Sequence, residues 1–135
     1  MESKGDSELS VAPAVRLPFK EESSLEKRKE LCAKIRVAHP GRVPVIVERH
    51  ARSLLLPDIP KRKYLAPADI TIAQLLMEVR KQINVRPEEA LFWHVGPGKQ
   101  LQASGVLMGQ IYTKIKDEDG FLYITYSSEN VYGDH

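Results

Sequence analysis

The chain has 135 residues, 42% hydrophobic and 28% charged, with a formal net charge of +2. That favours one domain with a modest core and is too near neutrality for a general nucleic-acid binder. A single cysteine excludes an internal disulfide and fits a reducing compartment; no apolar run approaches the roughly 18 residues that span a bilayer, and no signal-peptide core is visible.

Residues 1–18 read as a flexible extension, because Met1-Glu2-Ser3-Lys4-Gly5-Asp6-Ser7 is small, charged and aperiodic, and Pro13 and Pro18 discourage a helix. Order is expected from Phe19. Ser23 and Glu26 have capping-box spacing, and Leu25, Leu31, Cys32 and Ile35 form an apolar stripe on a helix that stops before Pro40. Arg42-Val43-Pro44-Val45-Ile46-Val47-Glu48 is rich in β-branched residues and reads as a strand, with Pro44 at a position whose donor is not needed. A loop with the apolar triplet Leu54-Leu55-Leu56 leads to a short strand, Lys63-Tyr64-Leu65-Ala66-Pro67.

Asp69 or Thr71 can cap the strongest helix, whose face is Ile72, Leu75, Leu76, Val79 and Ile83. Ala90 to Val95 reads as a third strand, Gly96 to about Gly105 as a flexible loop, and Val106 to Lys114 as a short helix. After the acidic turn Asp117-Glu118-Asp119-Gly120, the run Phe121-Leu122-Tyr123-Ile124-Thr125-Tyr126 can bury both faces, as a central strand does. Helix, two strands, helix, strand, short helix and strand make an α+β fold. The expected architecture is a ubiquitin-like β-grasp: a four-stranded mixed sheet with the last strand beside the first, plus an added N-terminal helix or helices.

Catalytic chemistry is not indicated. Cys32 and His39 could share a helix face, but no orienting third residue or oxyanion motif accompanies them, and Cys32 reads as buried packing. His39, His50, His94 and His135 lack metal-ligand spacing, so neither a metal nor a cofactor is expected. Asp117-Glu118-Asp119 lacks the alternation of a calcium loop and reads as a solvated turn. Gly96-Pro97-Gly98-Lys99 lacks phosphate-loop spacing.

Arg42 to Glu48, Lys63-Tyr64-Leu65-x-Pro67-x-Asp69, Phe121-Leu122-Tyr123-Ile124 with Tyr126-Ser127, Glu26-Lys27-Arg28, Ile35-Arg36 and Val131-Tyr132-Gly133 together resemble the autophagy-related protein 8 family of ubiquitin-like modifiers (the GABARAP and microtubule-associated light chain 3 type). The resemblance covers about 19–133, which becomes the modifier domain with its C-terminal tail. It implies a conjugated protein rather than an enzyme. A cysteine protease cuts between Gly133 and Asp134 and removes the pro-peptide 134–135. Activating and conjugating enzymes then pass the Gly133 carboxyl to phosphatidylethanolamine, moving a cytoplasmic protein onto the autophagosome membrane. Glycine suits that role because a carboxylate passed through narrow clefts must lack a Cβ.

The resemblance also implies recognition of cargo receptors and adaptors carrying aromatic-x-x-aliphatic motifs, which add as a strand beside Lys63-Tyr64-Leu65-Ala66. The aromatic pocket would be Ile35, Pro44, Ile46, Lys63, Leu65 and Phe121. The aliphatic pocket would be Tyr64, Ala66, Pro67, Ile70 and Leu75, and Arg42, Lys61 and Lys63 would meet upstream acids. Departures from the family pattern are Leu25, His39, Glu78, Trp93-His94, the long loop 96–105 and the long extension. A different reading is a β-grasp module that is never conjugated, whose basic helix (Lys27-Arg28-Lys29 with Lys34 and Arg36) binds acidic partners such as microtubules. Nucleic acid is not an expected partner, since no aromatics interleave those lysines.

Overall fold

The computed structural model describes residues 16–98 and 102–129. In chain order the elements are α1 (Phe19–Glu22), α2 (Leu25–Ala38), β1 (Arg42–Arg49), β2 (Lys63–Pro67), α3 (Ile72–Gln82), β3 (Phe92–Val95), α4 (Met108–Ile115) and β4 (Leu122–Ser127). The four strands form one sheet in the order β2-β1-β4-β3. β1 pairs antiparallel with β2 and parallel with β4, while β3 pairs antiparallel with β4. The mixed β-grasp sheet expected from the element order is therefore present, with the last strand beside the first.

Strand alternation divides the apolar residues between two layers. Val43, Val45 and Val47 of β1, with Leu122, Ile124 and Tyr126 of β4, face Ile72, Leu75 and Val79 of α3 and Met108, Ile111 and Tyr112 of α4 in the larger core. The opposite face carries Ile46 and Phe121, which close with Phe19 and Cys32 under α1 and α2. Phe19 meets the Phe121 ring edge-on at 5.4 Å. β1 is buried from Val43 to Val47 because it has a helical layer on each side. Pro44 fits where it lies: the Val47 amide donates to the Arg62 carbonyl at 2.8 Å, so ladder alternation turns the Pro44 nitrogen toward β4, whose pairing starts only at Val45.

The helix caps refine the expected boundaries. Thr71 and Gln74 form a full capping box on α3. The box expected from Ser23 and Glu26 is absent. Ser23 is taken up in closing α1, its amide bonded to the Phe19 carbonyl at 3.3 Å, and Ser24 caps α2 by accepting from the Lys27 amide at 3.2 Å. β3 is shorter than the expected 90–95 run, and α4 starts two residues later than expected.

The acidic turn is the larger correction, because, of its three acids, only Glu118 is exposed. Asp119 is 2% exposed and accepts from Arg28 Nε at 2.8 Å, from the Phe121 amide at 2.8 Å and from the Tyr123 hydroxyl. Arg28, itself buried, also donates to the carbonyls of Lys20 and Ser23 at 3.0 and 2.6 Å. Burial, followed by the Asp119 carboxylate, pushes the Tyr123 phenol upward, so it remains a donor. Asp117 accepts from Lys20 Nζ. Burial opposes its ionisation, but the hydrogen bonds from Lys20 and the Asp119 amide outweigh that and hold its carboxyl below the ordinary 3.8.

Asp119→Ala leaves the Arg28 guanidinium buried without its carboxylate and is expected to lower the unfolding free energy by about 3 to 5 kcal/mol. Urea denaturation measures this, and the apolar pair Arg28→Met with Asp119→Leu should restore part of the loss. Asp117 has a folded-state pKa below its unfolded one, so its contribution is present above the unfolded value and lost as pH falls through the folded one. The stability gap between wild type and Asp117→Asn should therefore be full at neutral pH and close in acid below about 3.8, as denaturation across a pH series would report.

Candidate functional site at the open sheet edge

β2 is an outer strand, and no strand among the described residues covers its far side. The Val47–Arg62 bond and the Ala68 amide bonded to the Gly41 carbonyl at 3.1 Å set the ladder phase. Tyr64 and Ala66 bond inward to β1, and the main-chain groups of Lys63, Leu65 and Pro67 turn outward. The Leu65 carbonyl accepts from Arg42 Nη1 at 3.2 Å, and the Pro67 carbonyl accepts from the Ile70 amide at 3.4 Å.

Around that edge the two residue groups named from the sequence lie largely on opposite faces. On the α2 side, Ile46 and Phe121 are 0% and 1% exposed, Pro44 is buried, and Ile35 and Leu65 are half-buried. The first two are floor; Ile35, Leu65 and exposed Lys63 offer surface. Lys63 Nζ sits 5.7 Å from the centre of the Phe19 ring, so the cation lies against the smaller apolar cluster. On the α3 side, Ala66 and Leu75 are buried in the main core, with Tyr64 and Ile70 packed half-buried against it. Pro67 ends the strand and by alternation points away from Ala66. Burial raises the Tyr64 phenol, and Lys61 Nζ lies 5.3 Å from the centre of its ring.

Arg42, Lys61 and Lys63 are exposed along this edge, whereas Arg62 between them is buried. It donates to Glu22 at 2.7 Å, to Glu48 at 3.2 Å and to the Leu17 carbonyl at 2.6 Å, which straps the start of the described chain to β1. Arg28 is likewise spent on Asp119, so the basic face of α2 is weaker than its composition suggests. Glu78 is exposed and paired with Lys81 at 3.1 Å. Gly133 and Asp134 lie outside the described residues. Ser128, five residues before Gly133, donates its amide to Ser53 Oγ at 3.0 Å.

The chain matches the family model described as autophagy protein Atg8, ubiquitin like, over residues 27–133. It belongs to the Atg8 family. Autophagy-related protein 8d of Arabidopsis thaliana is 49% identical over 115 residues, covering 85% of this chain and 93% of the relative. Autophagy-related protein 8 of Mycosarcoma maydis is 46% identical over 119 residues, covering 88% and 98%. The chain is thus an Atg8-family ubiquitin-like protein of autophagy, the family to which its sequence motifs pointed.

Sequence reasoning missed the Asp119 clasp, although a signal was there. Arg28 falls between Leu25 and Cys32 on the apolar stripe, and a charge in that place requires a buried partner. The two faces of the edge also differ in how safely they can be altered. Ala66→Asp should lower stability by at least ~2 kcal/mol because it buries a carboxylate in the main core, and thermal or urea unfolding would show it. Leu65→Ala, at a half-buried edge position, should cost less than half as much.

Proposed function

We propose that this Atg8-family protein is processed after Gly133, joined through that glycine to phosphatidylethanolamine on autophagosomal membranes, and used there to recruit receptors through the β2 edge. The observation that supports the conjugation reading best is that the family match runs through Gly133 itself. A processing cysteine protease hydrolyses the Gly133–Asp134 peptide bond. The activating enzyme joins the new carboxylate to the AMP moiety of ATP, releasing pyrophosphate, and its cysteine thiol then displaces AMP to form a thioester. After transfer to the conjugating enzyme, the amine of the lipid attacks the thioester carbonyl, forming an amide and releasing the thiol. Glycine at this position leaves the acyl carbon unhindered at each step.

Recruitment follows from the edge. A short peptide that adds as a strand would pair with the outward groups of Lys63 and Leu65. Its aromatic anchor would settle toward Ile35, Lys63 and Leu65, its aliphatic anchor toward Tyr64 and Ile70, and its upstream acids toward Lys61, Lys63 and Arg42.

Intact-mass analysis of protein recovered from cells should show loss of Asp134 and His135 and the addition of a phospholipid. Gly133→Ala should abolish the membrane-bound form. A mutant that is still trimmed, still carries the phospholipid and keeps the wild-type membrane distribution overturns the conjugation reading. In titrations with an acid-flanked aromatic-x-x-aliphatic peptide, Leu65→Ala should weaken binding by at least ~1 kcal/mol, the scale of an interface anchor. Unchanged affinity would place the peptide elsewhere.

A further inference from the structure

The triplet Leu54-Leu55-Leu56 takes no part in the β2 edge, yet it is built with care. Leu56 is 4% exposed and belongs to the main core, whereas Leu54 and Leu55 are 73% and 98% exposed. The loop that presents them is braced. Arg49 Nη1 donates to the Leu56 carbonyl at 3.0 Å and to the Leu54 carbonyl at 3.5 Å. The Ser53 amide bonds to the His50 carbonyl at 3.0 Å, and the Leu56 amide to the Ser53 carbonyl at 3.2 Å. Two leucines are thus held outward by an ordered turn, with exposed Leu17 and Leu54 on the wall of a neighbouring cavity of about 400 Å³. Arg16 and Arg49 line the same cavity with Glu48 and Asp58, Asp58 being paired with Arg16 at 3.0 Å; Arg52, in the same loop, is exposed.

This loop is also where the C-terminal tail begins. The His50 amide donates to the Tyr126 carbonyl at 2.7 Å, and Ser53 Oγ accepts from the Ser128 amide. Gly133 lies five residues beyond Ser128. At the ~3.6 Å per residue limit of an extended chain, its carbonyl cannot lie more than about 18 Å from Ser128. A lipid joined to Gly133 therefore brings a bilayer within reach of Leu54 and Leu55.

We propose that Leu54 and Leu55, flanked by Arg49 and Arg52, form a membrane-contact loop. The leucines enter the interfacial zone, and the arginines meet anionic headgroups once the tail is anchored. The inference rests on the conjugation reading, because two side chains and two charges give only marginal, reversible binding alone, and the tether supplies the effective concentration that makes it persist.

To test it, the full chain ending at residue 133 and carrying Gly133→Cys is coupled to a maleimide-headgroup lipid, Cys32 being buried. Vesicles are phosphatidylcholine alone or phosphatidylcholine with about 30% phosphatidylserine, and amide hydrogen exchange is followed by mass spectrometry. On anionic vesicles, amides of 50–57 should exchange at least ~5-fold more slowly than in the same protein without vesicles. Replacing Leu54 and Leu55 by serine should abolish that protection and leave β1 and α3 unchanged. Equal protection in the serine variant, or none in wild type, overturns the proposal. Equal protection on neutral vesicles overturns the role given to the arginines. Protection that arises without vesicles as protein concentration rises assigns the loop to a second copy and also overturns it. Chemical coupling bypasses the enzymes, so failure here leaves conjugation standing, and failure to conjugate in cells leaves this assay readable.

Discussion

One carboxylate, Asp119, joins parts of the chain that hydrophobic burial alone would leave loosely placed. It binds Arg28 of α2, the Tyr123 hydroxyl of β4 and the Phe121 amide at the entry to β4. Arg28 extends the link to the carbonyls that close α1. The apolar cluster beneath α1 and α2 is small, with Phe19, Cys32, Ile46 and Phe121 fully buried, and such a cluster tolerates many helix orientations. Directional, desolvated hydrogen bonds select one of them. That choice packs Ile35 against the Ile46 and Phe121 cluster and covers the second face of the sheet with a helix. The turn that supplies the carboxylate is closely packed: Gly120 has a φ of +96°, and a Cβ there would lie 2.7 Å from Cys32 Sγ.

Topology separates the two ends of the molecule by role. β1 and β4 are parallel, so both finish at the pole that holds His50, Ser53 and Ser128. The strap from Arg16 to Leu17 lies there as well, with Arg16 bonded to Asp58 and to the Pro60 and Ile59 carbonyls. β2 starts at that pole and runs away from it. The open edge of β2 therefore extends from the pole where Ser128 lies toward the opposite end, where Thr71 and Leu107 bridge.

The architecture was legible because its elements carry strong period signals: the α3 face, the β-branched run of β1 and the two-sided apolar run of β4 each admit one assignment. The parallel pairing followed from element order. What the sequence hid were interactions whose partners lie far apart, since the Asp119–Arg28 bond spans 91 residues and has no periodicity. The same holds for Arg62, which reads as part of a solvated basic run but is buried against Glu22 and Glu48. For the residues named as candidate pockets, residue type gave no measure of depth. Ile46, Phe121, Ala66 and Leu75 are as apolar as Ile35 and Ile70, and only the packing distinguishes core from surface.

An open edge strand must resist pairing with other copies of itself, and β2 meets that demand through brevity. Only Lys63, Leu65 and Pro67 point their main chain outward, and proline has no donor to give. Lys63 places a cation at one end of that row, while Arg42 occupies the Leu65 carbonyl until something displaces it. A long hydrophobic strand would find too few hydrogen bonds here to repay its ordering entropy. A short acidic peptide of the kind proposed would instead gain twice: its carboxylates would draw Arg42 off the Leu65 carbonyl, and its two anchors would meet apolar side chains on either face. On that reading, selectivity would arise from how few bonds the edge can make, with affinity left to the side chains.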